Sequence, residues 1–189
     1  MRFDEVLTRP DGPAVADELA VLRRPGRVVV EGAHQDSPRE HWQFRLDVDE
    51  HRQRWTLDRS DLPTVSYRDG VLHGDDGPSE VGFARSTAVR TVVRMAVPDL
   101  MLRWGRGPES FHPVLVQHVG QHSVLVTFEH REDPVLRTTL VVDEHDGIAR
   151  RSLEYGAATY VTGVRSAEPD EVLPAARFEP LTDWIRPDD

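Results

Sequence analysis

The sequence predicts a mainly β chain with a few short helices, built on one antiparallel sheet of about ten strands, strongly curved or closed. Three observations lead there. Short β-like runs recur at intervals of about ten residues, joined by turn signals at Asp69-Gly70, Asp133-Pro134, Asp146-Gly147 and Gly156. Some runs alternate strictly: Trp42, Phe44, Leu46 and Val48 are interleaved with Gln43, Arg45, Asp47 and Asp49, the pattern of a half-buried strand. Finally, strands do not alternate with long helical segments, so parallel βαβ units are not expected.

The elements follow in chain order. "RFDEVL" reads as a helical turn. "PAVADELAVLRR", residues 13–24, reads as a helix with Pro13 in its first turn, a stripe of Ala16, Leu19 and Leu22, and Pro25-Gly26 as its stop. Residues 1–25 therefore form an N-terminal helical segment. From residue 26 to 165 the chain reads as sheet. "GRVVVEG" is a strand, "EHWQFRLDVDE" the alternating one, and "RQRWTLDR" places Trp55 and Leu57 on one face. "TVSYRDGVLHG" is a hairpin about Asp69-Gly70. Helices interrupt near 86–104. Val89, Val92, Val93 and Ala96 recur at helical spacing behind Ser86 as N-cap, and Pro98 opens a second short helix in which Leu100 and Trp104 lie one turn apart, stopped by Gly105. Strands then return in "HPVLVQHVGQHSVLVTFEH", "VLRTTLVVD", "GIARRSLEY" and "AATYVTGVR". Residues 166–189 read as an extended, Pro- and acid-rich tail, with Phe178 and Trp184 as anchors and Trp184 as a candidate lid. The chain reads as one domain, 1–189.

Composition narrows the function. The net charge is −10, which repels phosphate backbones, so a nucleic-acid partner is not expected. All 23 basic residues are Arg, as coding bias alone would give. With no cysteine, disulfides, thiolate zinc sites and cysteine nucleophiles are excluded. No run approaches the roughly 20 apolar residues of a membrane helix. "MRFDEVLTRPDG" lacks the apolar core of a signal peptide, so a cytoplasmic location is expected.

One stretch resembles a known family. "LRTTLVVDEHDGIARRSLEY", then "ATYVTGV" and "LPAARFEPL", is similar to the closing strands of the LolA-like group, which holds lipoprotein carriers, their receptors and the periplasmic domain of the sigma-E regulator RseB. The matching marks are Asp143, Gly147, Glu154, the strand ending at Val164, and Phe178-Glu179-Pro180. "HWQFRLDVDEHRQRW", "TVSYRDGVLHG" and "AVPDLMLRWG" resemble earlier parts of that group, and the likeness spans residues 26–181. It implies a half-open antiparallel barrel whose concave side is covered by short helices and encloses an apolar cavity. Trp42, Phe44, Trp55, Leu100, Trp104, Val114, Val116, Val124, Val126 and Phe128 fall on apolar faces and are the candidate ligand-lining residues. The competing reading makes them ordinary core.

Four of the nine histidines, His112, His118, His122 and His130, sit in residues 112–130. With Val119-Gly120-Gln121 as the loop, His118 faces His122, Val116 faces Val124, Val114 faces Val126 and His112 faces Phe128. Cross-strand Cβ atoms lie about 5 Å apart, so His118 and His122 are minority candidates for a metal, lacking the further ligand that zinc wants; His145 is a distant third. The alternative is a hairpin rim with no metal and no cofactor. Glu40-His41 and Glu50-His51 point to opposite strand faces, so neither is a ready acid–base couple. The calcium-loop pattern, the phosphate cradle and the nucleophile elbow are absent.

Three readings remain. The first is non-enzymatic binding of an apolar small molecule, lipid or acylated peptide in the concave face, in a carrier or sensor role. The second is an acidic protein–protein interaction or regulatory module with a filled core. The third is a hydrolase or metal-dependent enzyme using the hairpin histidines.

Overall fold

The computed structural model describes residues 5–23, 26–36, 40–88, 90–100, 104 and 111–179. Among the described residues, twelve strands form one sheet: β1 (Glu5–Val6), β2 (Arg27–Gln35), β3 (His41–Asp49), β4 (Arg54–Arg59), β5 (Val65–Arg68), β6 (Val71–Gly74), β7 (Gly77–Glu80), β8 (Phe111–Val119), β9 (Ser123–His130), β10 (Arg137–Asp143), β11 (Ala149–Glu154) and β12 (Ala157–Ala167). Their spatial order is β1-β8-β9-β10-β11-β12-β2-β3-β4-β5-β6-β7. Neighbours are antiparallel, and β1 and β7 are the free edges, so the sheet is a half-open barrel rather than a closed one. The two halves of the chain meet where β12 pairs with β2, from Ala158↔Gln35 to Ala167↔Arg27.

Among the described residues, three short helices lie against one face. α1 (Gly12–Leu22) follows a 3₁₀ turn at Arg9–Asp11 and buries Val15, Ala16 and Leu19. α2 spans Phe83–Ala88 and α3 spans Thr91–Ala96. The core has two lobes. In one, α1, Met95 and Trp104 pack on Val116, Val124, Val126, Phe128, Leu140, Val142 and Ala149 of β8–β11. In the other, Val92, Val93 and Ala96 of α3 pack on Val30, Phe44, Leu46, Val48, Trp55, Leu57, Val65 and Tyr67 of β2–β5. Every one of these residues is at most 3 % exposed.

The hairpin signal at Asp69-Gly70 is realised as a two-residue turn with positive φ at both positions (54° and 81°), the backbone a tight β5–β6 connection demands. Gly147 answers a different need. Its φ is +69°, and a Cβ there would sit 2.6–2.8 Å from atoms of Arg23, including its backbone N and Cα. The β10–β11 turn can close against the end of α1 because it carries no side chain at that point.

Several expectations need correction. Glu5–Val6 of "RFDEVL" is a strand pairing with Val116 and Leu115, not a helical turn. The helix expected over 86–96 is two helices. Arg90, extended at φ −125°, is the N-cap of the second; Val89 lies outside the described residues. Ser86 is not a cap but sits inside α2, and its hydroxyl and that of Thr87 donate back to the carbonyls of Phe83 and Ala84 (2.7 and 2.8 Å). Such back-bonding competes with the helix ladder and shortens the helix. Pro98–Leu100 is a 3₁₀ turn. Residues 101–103 and the expected stop at Gly105 lie outside the described residues. An unexpected strand, β7, closes the far edge.

The β8–β9 register also differs. The loop is Gly120–His122, so Val119 pairs with Ser123, His118 with Val124 and Val116 with Val126. A bulge between Pro113 and Leu115 then changes the register, leaving Val114 unpaired in the ladder and setting His112 opposite Glu129. Proline has no N–H to give the ladder, and a bulge is where a strand tolerates it.

Candidate functional site

The concave face was the expected site, and its geometry follows from packing. Phe44, Trp55, Trp104, Val116, Val124, Val126 and Phe128 are each 0–1 % exposed. Trp42, Leu100 and Val114 are half-buried. Trp104 meets the Phe128 ring edge-on at 4.6 Å and donates its indole N–H to the Pro98 carbonyl at 2.8 Å. Trp55 stacks with Tyr67 at 6.4 Å and donates to the Ser86 hydroxyl at 3.0 Å. Both buried indole N–H groups are therefore satisfied, as a settled core requires. Trp42 carries the Arg59 guanidinium 3.8 Å above its ring. The structure places Trp104, Val116, Val124, Val126 and Phe128 in one packed lobe and Trp42, Phe44 and Trp55 in or against the other, while Leu100 and Val114 belong to neither.

Three depressions lie elsewhere. Grooves of about 630 and 420 Å³ open on the opposite, convex face, and one of about 760 Å³ at the barrel end is lined by Arg23, Glu50, His145 and Ile148 among others. Of the ten candidate lining residues, Phe44 and Trp55 alone contribute to these walls. At the barrel end Arg23 bridges Asp99 and Glu50. Burial raises the Glu50 carboxyl above its ordinary range despite that arginine.

The histidines separate. His118 Nε2 lies 2.8 Å from Glu144 Oε2, while the His122 ring meets His145 edge-on at 4.4 Å. His145 in turn binds Asp143 through its backbone N–H and Nδ1, at 2.9 and 3.1 Å. Burial would raise Asp143, but the hydrogen bonds from His145 and the contact with Arg150 outweigh it and hold the carboxyl below its usual range. The distant candidate His145 is thus beside His122, and His118 and His122 do not face each other. No group of three or more potential ligands is placed to hold a metal among the described residues.

A second imidazole has a more catalytic look. His34 lies between Thr159 Oγ1, 2.7 Å from Nδ1, and Asp36, 2.8 Å from Nε2. With Nε2–H donated to the carboxylate, Nδ1 accepts the threonine proton. Thr159 is 1 % exposed, however, so no substrate reaches that hydroxyl.

The convex face holds what the sequence reading missed. After β12 the chain turns at Pro169-Asp170 and runs back, as a strap of residues 168–179, over β2 and β3. Arg27 is clamped to Asp47 by two hydrogen bonds (2.9 and 2.8 Å), which raise its pKa further, and its Nη1 donates to the carbonyls of Glu168, Pro169 and Glu171 at 2.9, 3.3 and 2.7 Å. Arg52 and Arg54 donate to the Pro169 carbonyl at 3.1 and 3.3 Å, Arg45 to that of Pro174 at 2.6 Å, and Gln43 to that of Glu179 at 2.6 Å. Two carboxylates add to these: Asp170 with Arg52 and Glu171 with Arg165, each held below its ordinary range by that hydrogen bond. Val29 points to this face, level with Asp47 and Arg165, yet is only 2 % exposed. Phe178, an expected anchor, lines the 630 Å³ groove; Trp184, the expected lid, lies outside the described residues.

No family model matches the sequence, and no curated protein matches it. Among solved structures, the fold is similar to that of MucB (TM-score 0.46, 15 % identity, 84 % of this chain and 60 % of that one). It is similar to MucB in the Pseudomonas aeruginosa MucA/MucB complex (0.47, 14 %, 84 % and 58 %). It is also similar to a LolA superfamily protein from Nitrosomonas europaea (0.38, 10 %, 89 % and 96 %). The chain spans 60 % or less of the length of these MucB chains. At these identities the likeness is one of fold alone.

Proposed function

We propose that the chain is a non-enzymatic binding module for a protein partner, with a core that is filled rather than open. The observation that carries this reading is the concave face. An apolar ligand gains about 25 cal/mol per Å² of surface it buries, but only where that surface is free to receive it. Here Trp104, Val116, Val124, Val126 and Phe128 already bury one another at 0 % exposure. The carrier reading requires α1 or α3 to lift away and expose two packed lobes. The enzyme reading requires His118, His122 and a carboxylate to converge, whereas His118 pairs with Glu144, His122 lies against the His145 ring, and the Thr159 hydroxyl beside His34 is buried.

Native mass spectrometry of the protein purified from its own host tests this. The expected spectrum shows the bare chain or the chain with a polypeptide bound. A co-purified lipid overturns the proposal in favour of a carrier, and a stoichiometric metal overturns it in favour of the histidine reading.

A further inference from the structure

The strap is held in an unusual way. Most of its contacts end on main-chain carbonyls: those of Glu168, Pro169, Glu171, Pro174 and Glu179 accept from Arg27, Arg52, Arg54, Arg45 and Gln43. Every residue carries a carbonyl, so these bonds would hold any segment of similar path, a turn at residues 168–171, closed by the Glu171 N–H on the Glu168 carbonyl, followed by an extended run. Among the described residues the strap adds no ladder of its own to the sheet.

The donors are positioned by the sheet rather than by the strap. Asp47 grips Arg27 from the neighbouring strand, Asp58 lies 3.3 Å from Arg45, and Asp49 lies 3.2 Å from Arg54 and 3.8 Å from Arg52. Each guanidinium has a sheet carboxylate within 4 Å, and its other N–H groups reach the strap. The surface is thus a preorganised row of donors carrying positive charge on a chain of net charge −10. The strap complements it with Asp170 and Glu171 and with two prolines, Pro169 in the turn and Pro174 in the extended run that follows. It also leaves room, because the groove beside Pro174–Phe178 retains about 630 Å³.

We propose that the convex face of β12, β2, β3 and β4 is a binding site for an acidic, proline-containing segment of a partner protein that turns and then runs extended, and that residues 168–179 occupy it in cis. The proposal rests on the partner-binding reading above, and the two fail separately. A co-purified lipid overturns that reading, whereas the titration below judges this face alone.

In the full chain, a protease site inserted between Ala167 and Glu168 allows the strap to be cut after folding and removed by gel filtration. A fluorescent peptide with the sequence of residues 168–179 is then titrated by anisotropy. Saturable micromolar binding is expected. It should weaken at least about tenfold with Arg27→Gln or Arg52→Gln, each of which removes charge-assisted donors. Arg52 is a partly exposed side chain whose loss does not threaten the fold. An unrelated dodecamer with acids and prolines at the same positions is expected to bind within about tenfold, and one with lysines in place of the acids much more weakly. The uncut chain is expected to bind none of them, because a tethered strap competes at about millimolar effective concentration. The proposal is overturned by a cut chain of unchanged circular dichroism that takes up no peptide at about 100 µM. It is also overturned by binding indifferent to both arginine variants, or by binding restricted to the strap's own sequence, which would make it a private clasp.

Discussion

The two faces of this sheet are held by opposite means. On the concave face, side chains contact side chains: Trp104 against Phe128, Trp55 against Tyr67, α1 and α3 against valines, with little exposed area left. On the convex face of β2 and β3, side chains contact main chain, through arginines braced by aspartates. The first kind of contact depends on the shape of each residue, so it fixes one structure and resists exchange. The second depends on a group common to all residues, so it tolerates replacement of whatever lies across it. A molecule with both has a rigid body and one surface where its own chain is a removable guest.

That contrast can be broken at several points. The largest effect is expected inside. Trp104→Ala empties the centre of one lobe and should cost about 3–5 kcal/mol, read as a lower urea midpoint. Next is the joint between α1 and the β10–β11 turn. Gly147→Ala forces a side chain into a φ of +69° and against the Arg23 backbone, and should cost about 1–3 kcal/mol. On the convex face Arg27→Gln should behave differently. Global Tm is expected to change by less than about 4 °C, while tryptic cleavage after Arg177 accelerates about tenfold as the strap lifts. If Arg27→Gln instead unfolds the chain as Trp104→Ala does, the contrast between the two faces is wrong.

The smallest effect concerns pH. Burial of His112, aided by repulsion from Arg9, holds its imidazole below the ordinary 6.5. A group with a depressed folded pKa contributes stability that is present above its unfolded value and lost as pH falls through the folded one. Thermal stability should therefore decline gently below about pH 6.5, and His112→Gln should flatten that part of the curve.

How much of this was legible in the sequence depended on which symmetry each signal has. The β8–β9 hairpin shows it best. Expecting His118 opposite His122 was wrong by two residues in the pairing, since Val119 pairs with Ser123 and Val116 with Val126. A slip of two leaves every side chain on its face, because strand side chains alternate with period two. The valine strip at Val116, Val124 and Val126 was therefore readable even though the cross-strand partners, and with them the histidine pair, were not. The break between α2 and α3 was obscured because Ser86 resembles an N-cap in sequence, whereas its hydroxyl is spent on Phe83 and Trp55. β7, Gly-Pro-Ser-Glu, carries no β-branched residue and is exposed throughout, as an edge strand can be. The strap was the least legible of all. Its acceptors are carbonyls, which leave no mark on a sequence, and the polar alternation of Gln43, Arg45 and Asp47 reads simply as a solvated face.

The pairing of β2 with β12 has a consequence for how the molecule is made. Strands β2 to β7 meet their partners within a few residues of one another, but the other edge of β2 must wait for β12. At about 5–20 residues per second, the valine-rich Val28–Val30 edge stands unpaired on the ribosome for on the order of ten seconds. During that interval the nascent chain has the raw edge that invites pairing with a neighbour. A message ending before residue 157 would leave both β2 and β11 with an unpaired edge, so the seam makes synthesis of β12 a condition of covering them.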